Sequence, residues 1–364
     1  MPSYSRTAAG TSESQSVQQM NNSLLRRAWS QRREVVGATL YWSGLARGFE
    51  ALVRPTGAII LMYHSVAADD VADFIDPPNR LAPREFERQM AFLSAHRHVI
   101  SLTDLVSRLE AGQTPAAGTV CITFDDGYLD NLKVAAPILE SYRLPATLFV
   151  PTAYIDRAEV QWADALHRCF AFRVADRLRI PALQIDADLS VPGERSVARR
   201  ALHIALLERS YSERCELLRD VEQQLEPRSE SPRLTMNWDE VRHLVQRYPL
   251  FEVGGHSRNH IDLRTHRGES ARAEIAGCAQ DLEREIGRGP AHFSFPYGRW
   301  HDETKAMVKA AGWRSAVGAG NAFRVGSSTD RLVMARPATP NSMTELRFRT
   351  SGAYPGALAM IGLN

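Results

Sequence analysis

Short apolar runs that end in polar residues punctuate the chain. Ala58–Tyr63 is one such run, a buried strand by its pattern, with His64 at its end. Thr119–Phe124 and Ala146–Val150 read as a second and a third buried strand, with the helical stretch Asn131–Tyr142 between them. Strand, helix and strand at this spacing form a βαβ unit, which favours a parallel sheet or barrel. Pro83–Leu93 repeats apolar residues at threes and fours (Phe86, Met90, Leu93), and Leu102–Leu109 is a shorter helix capped by Ser101 or Thr103. Further on, Phe251–Val253 is a strand leading into Gly254-Gly255-His256, and Ala291–Phe295 is another. Helices are predicted at Glu269–Ile286 and at Thr304–Ala311, the second ended by Gly312. Asn237-Trp-Asp-Glu240 carries the capping-box pattern that opens a helix.

Two regions break this rhythm. From about Asp156 to Arg233 the chain is charged and mostly helical in pattern (Val197–Ser210, Ser212–Leu225), closing with Pro227 and Pro232. It reads as a helical insertion, residues 156–233, that lies over the cleft or is a plain surface excursion. Residues 1 to 23 are rich in Ser, Gln, Asn and Thr, a composition of disorder. From Leu24 to Val53 apolar residues recur at helical spacing, which predicts one or two amphipathic helices that cover the main domain, with a partner surface as the alternative. Arg26, Arg27, Arg32 and Arg33 beside those apolar residues also suit peripheral contact with a membrane surface. The expected organisation is therefore an N-terminal extension over 1–56, a main domain over 57–350 and a tail over 351–364.

Composition narrows the picture only a little. The 364 residues are 44% hydrophobic, 24% charged and 8% aromatic, with a formal net charge of +2. This is an ordinary globular balance, and no global field argues for nucleic acid as a partner. The cysteines, Cys121, Cys169, Cys215 and Cys278, are far apart and read as reduced, mostly buried thiols. No apolar run is long enough for a transmembrane helix, and the polar start has no signal-peptide core, so the expectation is a cytoplasmic protein. The oligomeric state is not legible.

Three segments place polar groups at the C-terminal ends of predicted strands, where barrel-like α/β proteins build their sites. In Thr123-Phe-Asp-Asp-Gly-Tyr128, two adjacent carboxylates follow an apolar strand and are costly to bury unless neutralised. Consecutive side chains diverge, so one carboxylate can hold a metal while its neighbour faces a reacting water. A solvated turn or a helix N-cap explains Asp-Asp-Gly equally well. In His256-Ser-Arg-Asn-His260 two histidines four apart share one face of a helical turn, as in a zinc pair, and one carboxylate would complete a His₂Asp set. Taken alone they are more simply surface histidines. Their place after a strand and Gly254-Gly255 favours the site. Ser294-Phe-Pro-Tyr-Gly298 is either a Pro-Gly turn or a fixed loop whose backbone N–H meets a developing oxyanion.

The order of these T-F-D-D-G, H-S-x-x-H and F-P-Y-G segments resembles the polysaccharide deacetylases of the NodB-homology class, carbohydrate esterase family 4. Met62-Tyr-His-Ser-Val66 is similar to the M-Y-H-x-V signature of one large subgroup. The resemblance covers about residues 57 to 350. It implies a distorted, incomplete (β/α) barrel and a divalent metal, usually zinc. Asp126, His256 and His260 are then the metal ligands, Asp125 the general base, and Tyr297 the source of the oxyanion N–H. His64 is the candidate general acid, with a structural role as its alternative. Many family members carry an Arg where this chain has Ser294, and that Arg pairs with the base. Arg336, after Leu332-Val-Met334, is the candidate substitute from a neighbouring strand.

The implied activity is metal-dependent removal of the N-acetyl, or O-acetyl, group from an N-acetylhexosamine unit in an oligosaccharide, polysaccharide or glycoconjugate. A non-catalytic carbohydrate-binding protein on the same fold and an amidohydrolase on a small non-sugar amide are the alternatives. Trp238, Trp300 and Trp313 are core residues or sugar-stacking faces, and Trp162-Ala-Asp164 falls within the insertion.

Overall fold

The computed structural model describes residues 55–351, apart from 288, 320–323 and 338. Pro55–Met343 form one compact unit, and the described residues 344–351 belong to a second. The helices expected over Leu24–Val53 and the tail from 352 onward lie outside the described residues.

The main unit is a parallel sheet nearly closed into a barrel, with helices around it. Its strands are β1 (Ile59–Tyr63), β2 (His98–Val99), β3 (Thr119–Phe124) and β4 (Ala146–Val150); a separate hairpin supplies β5 (Arg177–Ile180) and β6 (Ile185–Asp188). The sheet continues with β7 (Phe251–Gly255), β8 (His292–Ser294), β9 (Ser315–Gly318) and β10 (Met334–Ala335). The order is β1-β3-β4-β7-β8-β9-β10, with β2 also paired to β3. Every residue of β3 and β4 is buried, because one face of the sheet packs in the barrel interior and the other under the surrounding helices. That is why these strands read as unbroken apolar runs and not as alternation.

Register sets what meets at the rim. Tyr63 pairs with Phe124, so His64 and Asp125 leave adjacent strands side by side. Val150 pairs with Gly255, and Gly255 with Phe293, which brings His256 next to the end of β8. Gly254 and Gly255 are required by packing. A Cβ on Gly254 would lie 2.5 Å from the His292 carbonyl, and one on Gly255 2.5 Å from the Trp313 ring.

The predicted caps are present. Ser101 Oγ accepts from Asp104 N at 3.0 Å, and Asn237 and Glu240 cap each other at 3.0 and 2.9 Å. Pro83–His96 buries Phe86, Met90 and Leu93 as expected. Asn131–Ala135 is instead a π-turn that leads into the helix Ala136–Ser141. Trp238 and Trp313 are core residues, and all four cysteines are unpaired. Among the described residues no helix is long and apolar enough to cross a membrane.

The insertion is more than helical. The antiparallel hairpin β5–β6 links its helices Trp162–Ala171 and Pro192–Glu208, and the helix Tyr211–Leu225 follows. The strands alternate buried and exposed residues, a period-two signal too short to stand out among helices. The second helix starts at Pro192, ahead of the Val197 expected, since proline in a first turn has no N–H to leave unpaired. Leu166, Phe170, Leu178, Leu202, Val221 and Leu225 give the segment a hydrophobic cluster of its own, with Trp162 in it.

Candidate active site

The C-terminal rim of the sheet surrounds a cavity of about 400 Å³. His64, Asp125, Asp126, His256, His260, Tyr297 and Arg336, the full set of candidates named from the sequence, all line it.

Asp125 follows β3 and is buried. Arg336 reaches it from the end of β10 with two parallel bonds, Nη1 to Oδ1 at 2.8 Å and Nη2 to Oδ2 at 2.6 Å. The same guanidinium donates to Thr123 Oγ1 at 2.9 Å and Ser294 Oγ at 2.7 Å. Burial pushes the Asp125 pKa up, but the Arg336 charge, then His256 and the Arg336 hydrogen bonds, outweigh it and hold the carboxyl below its usual range. Asp125 is therefore ionised, and the pairing with Arg336 expected in place of an arginine at position 294 is present, made from another strand.

Asp126 adopts a left-handed backbone at φ 77°, which turns its side chain away from that of Asp125. Its Oδ1 lies 3.1 Å from His260 Nε2 and 3.5 Å from His256 Nε2. Burial pushes Asp126 up, while His260, His64 and His256 together pull its pKa well below the carboxylate range. One ligand atom from each of Asp126, His256 and His260 lies within 4.8 Å of the others, all three residues being buried.

The two histidines do not share a helical turn. They stand on an irregular loop after β7 in which Ser257 (φ 60°) and His260 (φ 49°) are both left-handed. Those two reversals fold the loop back until the imidazole centroids are 4.7 Å apart. Left-handed non-glycine residues cost on the order of 1–3 kcal/mol each, so neighbours must hold the loop. Glu274 does part of this, accepting from Arg258 N at 2.9 Å, Asn259 N at 2.8 Å and Asn259 Nδ2 at 2.8 Å. Thr152 N and Ala153 N bind the carbonyls of Ser257 and Arg258.

This donor set fits a divalent cation. His256 Nδ1 is 2.8 Å from the Ser294 carbonyl, which can only accept, so the proton sits on Nδ1 and Nε2 carries a lone pair. Burial lowers the His256 pKa to about 4, which keeps the ring neutral. Among the described residues Asp126 Oδ1 is buried with no hydrogen-bond partner. A buried, unpartnered carboxylate oxygen beside two imidazole nitrogens is the chemistry of a His₂Asp metal centre.

Tyr297, the expected source of a peptide N–H, stands in a turn where it is left-handed at φ 58°. The structure gives its phenol work as well: Oη is 2.9 Å from His260 Nδ1 and accepts from Trp162 Nε1 at 2.6 Å. His64 stands at the end of β1, its backbone carbonyl held by Asn131 Nδ2 at 2.8 Å and its Nδ1 without a partner. The insertion contributes Gln161, Trp162, Ala163 and His203 to the cavity wall. Sequence reasoning missed Glu274 and Arg214, which hold the His256–His260 loop from distant helices, because no local motif marks them.

The comparisons with known proteins agree with this architecture. Residues 112–177 and 218–316 match the sequence pattern of the polysaccharide deacetylase family, leaving out much of the insertion. A stretch of 98 residues is 33% identical to YxkH of Bacillus subtilis (strain 168), a candidate polysaccharide deacetylase. That match covers 27% of this chain and 33% of the relative, so the aligned part spans about a third of its length. Among solved structures, the Streptococcus pyogenes deacetylase PplD, in complex with acetate, superposes with a TM-score of 0.50 at 16% identity, over 82% of this chain and 99% of that one. IcaB from Ammonifex degensii gives 0.51 at 16% identity, over 82% and 99%. A polysaccharide deacetylase from Bacillus cereus gives 0.51 at 15% identity, over 81% and 68%. These structural likenesses establish the fold, and the sequence matches tie residues 112–177 and 218–316 of this chain to the polysaccharide deacetylase family.

Proposed function

We propose that this chain is a metal-dependent deacetylase that hydrolyses the N-acetyl group of an N-acetylhexosamine unit in a saccharide or glycoconjugate. The observation that carries the reading is the division of labour between adjacent carboxylates: Asp126 faces two imidazole nitrogens while Asp125 is clamped by Arg336. Asp126, His256 and His260 would hold the cation, zinc being its usual form. A divalent cation there supplies Lewis acidity, polarising an acetyl carbonyl and acidifying a water.

Asp125 takes the proton of the attacking water, since Arg336 keeps it ionised and fixes its orientation. The Tyr297 peptide N–H donates to the oxyanion that develops as water adds to the carbonyl carbon. His64 gives a proton to the departing nitrogen, so the C–N bond breaks to leave acetate and a free amine. An O-acetyl ester would follow the same route with an alcohol as leaving group. The cavity wall supplied by Gln161, Ala163 and His203 is where substrate choice is set.

The test is acetate release from N-acetylglucosamine oligomers, O-acetylated sugars and small acetamides, with and without chelator and added zinc. Metal-dependent release from the N-acetylated sugars is expected, falling about 10²–10⁴-fold in Asp125→Asn. Release from the acetamides alone would move the substrate outside carbohydrates. Absence of both activity and metal binding would leave a sugar-binding protein.

A further inference from the structure

We infer that Trp162 and Arg214, both from the inserted segment, are positioning residues for His260, so that the insertion is part of the metal centre's support. The inference rests on the metal-site reading above.

The argument is one of donors and acceptors. The Trp162 indole N–H can only donate, and its acceptor is Tyr297 Oη at 2.6 Å. That oxygen also lies 2.9 Å from His260 Nδ1 and 3.2 Å from the His260 carbonyl. The phenol has one proton and the carbonyl can only accept. All three contacts are satisfied together when the phenol donates to the carbonyl and accepts from Trp162 and from His260 Nδ1–H. His260 Nε2 then carries the lone pair, and it points at Asp126 Oδ1 3.1 Å away. With the indole N–H gone, the phenol can rotate, donate to Nδ1 and leave the proton on Nε2, where a cation needs a lone pair.

Arg214 secures the other side of the same residue. Its buried guanidinium donates through Nη1 to the His260 carbonyl at 3.2 Å and through Nε to the Leu206 carbonyl at 3.1 Å. It also stacks over the Trp162 ring at 5.3 Å. The left-handed His260 is thus held by two groups from the helices Trp162–Ala171 and Tyr211–Leu225. Those helices pack on the insertion's own core cluster. Arg214 lies in the part of the chain, 178–217, that the family match leaves out.

The experiment is a double-mutant cycle read by zinc affinity, from chelator competition on the purified full chain, with the cobalt(II) absorption spectrum as second readout. Trp162→Phe keeps a ring in the cluster and removes the N–H; Tyr297→Phe removes the hydroxyl and keeps the main chain. Each is expected to raise the zinc Kd about 10–100-fold, and the double variant no more than either alone. Packing damage would add, whereas one shared hydrogen-bond chain would not. Wild-type affinity and cobalt spectrum in Trp162→Phe, or strictly additive losses, would overturn the inference. His260→Ala is the control: if zinc binding in the wild type does not depend on His260, the site reading itself fails, and this inference with it.

Discussion

The barrel buries a histidine beside a carboxylate at both ends of its sheet. At the C-terminal rim His256 lies near Asp125 and Asp126, and at the opposite end His292 lies 3.9 Å from Glu252. Burial lowers both imidazoles to about 4, so both are neutral at physiological pH. What differs is the accounting around them. Both nitrogens of His292 have protein partners, Ser315 Oγ at 2.8 Å and Thr103 Oγ1 at 2.9 Å, and Glu252 accepts from Thr147 at 3.0 Å. His256 is satisfied on one nitrogen only, and its other faces a cavity and an unpartnered carboxylate oxygen. A closed polar cluster stabilises a fold, and an open one offers chemistry. A perturbed pKa alone does not tell the two apart.

Exchanging the two histidines for glutamine is the most direct way to break this comparison. His256→Gln is expected to lose zinc binding and to lower deacetylation at least 10²-fold, while the apo protein unfolds close to wild type. His292→Gln should retain activity and zinc affinity but lose on the order of 1–3 kcal/mol of stability, from a buried network left partly unpaired. Chelator competition and urea unfolding on both variants decide it. Equal loss of metal binding in the two would show that the distinction drawn from their partners is wrong.

Two arginines sharpen the same contrast. Arg336 and Asp125 form a buried bidentate pair, whereas Arg314 and Glu110 form a partly exposed one at the other end of the sheet. Removing Arg336 strands a buried carboxylate, for which about 3–5 kcal/mol is typical, and removing Arg314 should cost about 0–1 kcal/mol. Only the first should alter catalysis. With Arg336 gone, burial is less opposed and the Asp125 pKa rises, so the acid limb of the kcat/KM profile moves to higher pH in Arg336→Ala. An unmoved acid limb would show that Arg336 does not tune the base.

These contrasts also mark how far the sequence carries. Asp125, Asp126, His256 and His260 stand in short motifs just after predicted strands, and such signals survive without tertiary information. Arg336 was legible only through the family resemblance, from the serine at position 294 where many members carry an arginine. The route by which the histidines meet was not legible: spacing of four suggests a helical turn, and the left-handed Ser257 and His260 make a loop instead. Glu274, Arg214 and the indole of Trp162 act across long separations, and each is an ordinary residue on its own helix. The β5–β6 hairpin was hidden because four alternating residues per strand are a weak signal between strong helices.

The smallest expected effect concerns a carboxylate that shares the burial of Asp126 and meets the opposite fate. Asp164 has no solvent exposure, accepts from Asp76 N at 2.8 Å and from the Tyr128 hydroxyl at 2.7 Å, and among the described residues has no cation paired with it. Burial raises its pKa to about 8. The unfolded chain releases this proton near pH 4, so through neutral pH the native state binds one proton more. Stability from this group is full below pH 4 and is lost as pH rises toward 8, by at most about 1.4 kcal/mol per pH unit. His256 and His292 act with the opposite sign, but only as pH falls below about 6.5, where the unfolded chain takes up protons that the native rings refuse. Asp130, raised to about 6 by burial, has also largely titrated by then. The difference between wild type and Asp164→Asn in urea unfolding of the metal-free protein between pH 6.5 and 8 therefore isolates Asp164. The wild type should lose stability across that window, and Asp164→Asn should lose distinctly less. Parallel slopes in the two proteins would mean that Asp164 is already ionised in the native state, held there as Asp126 is.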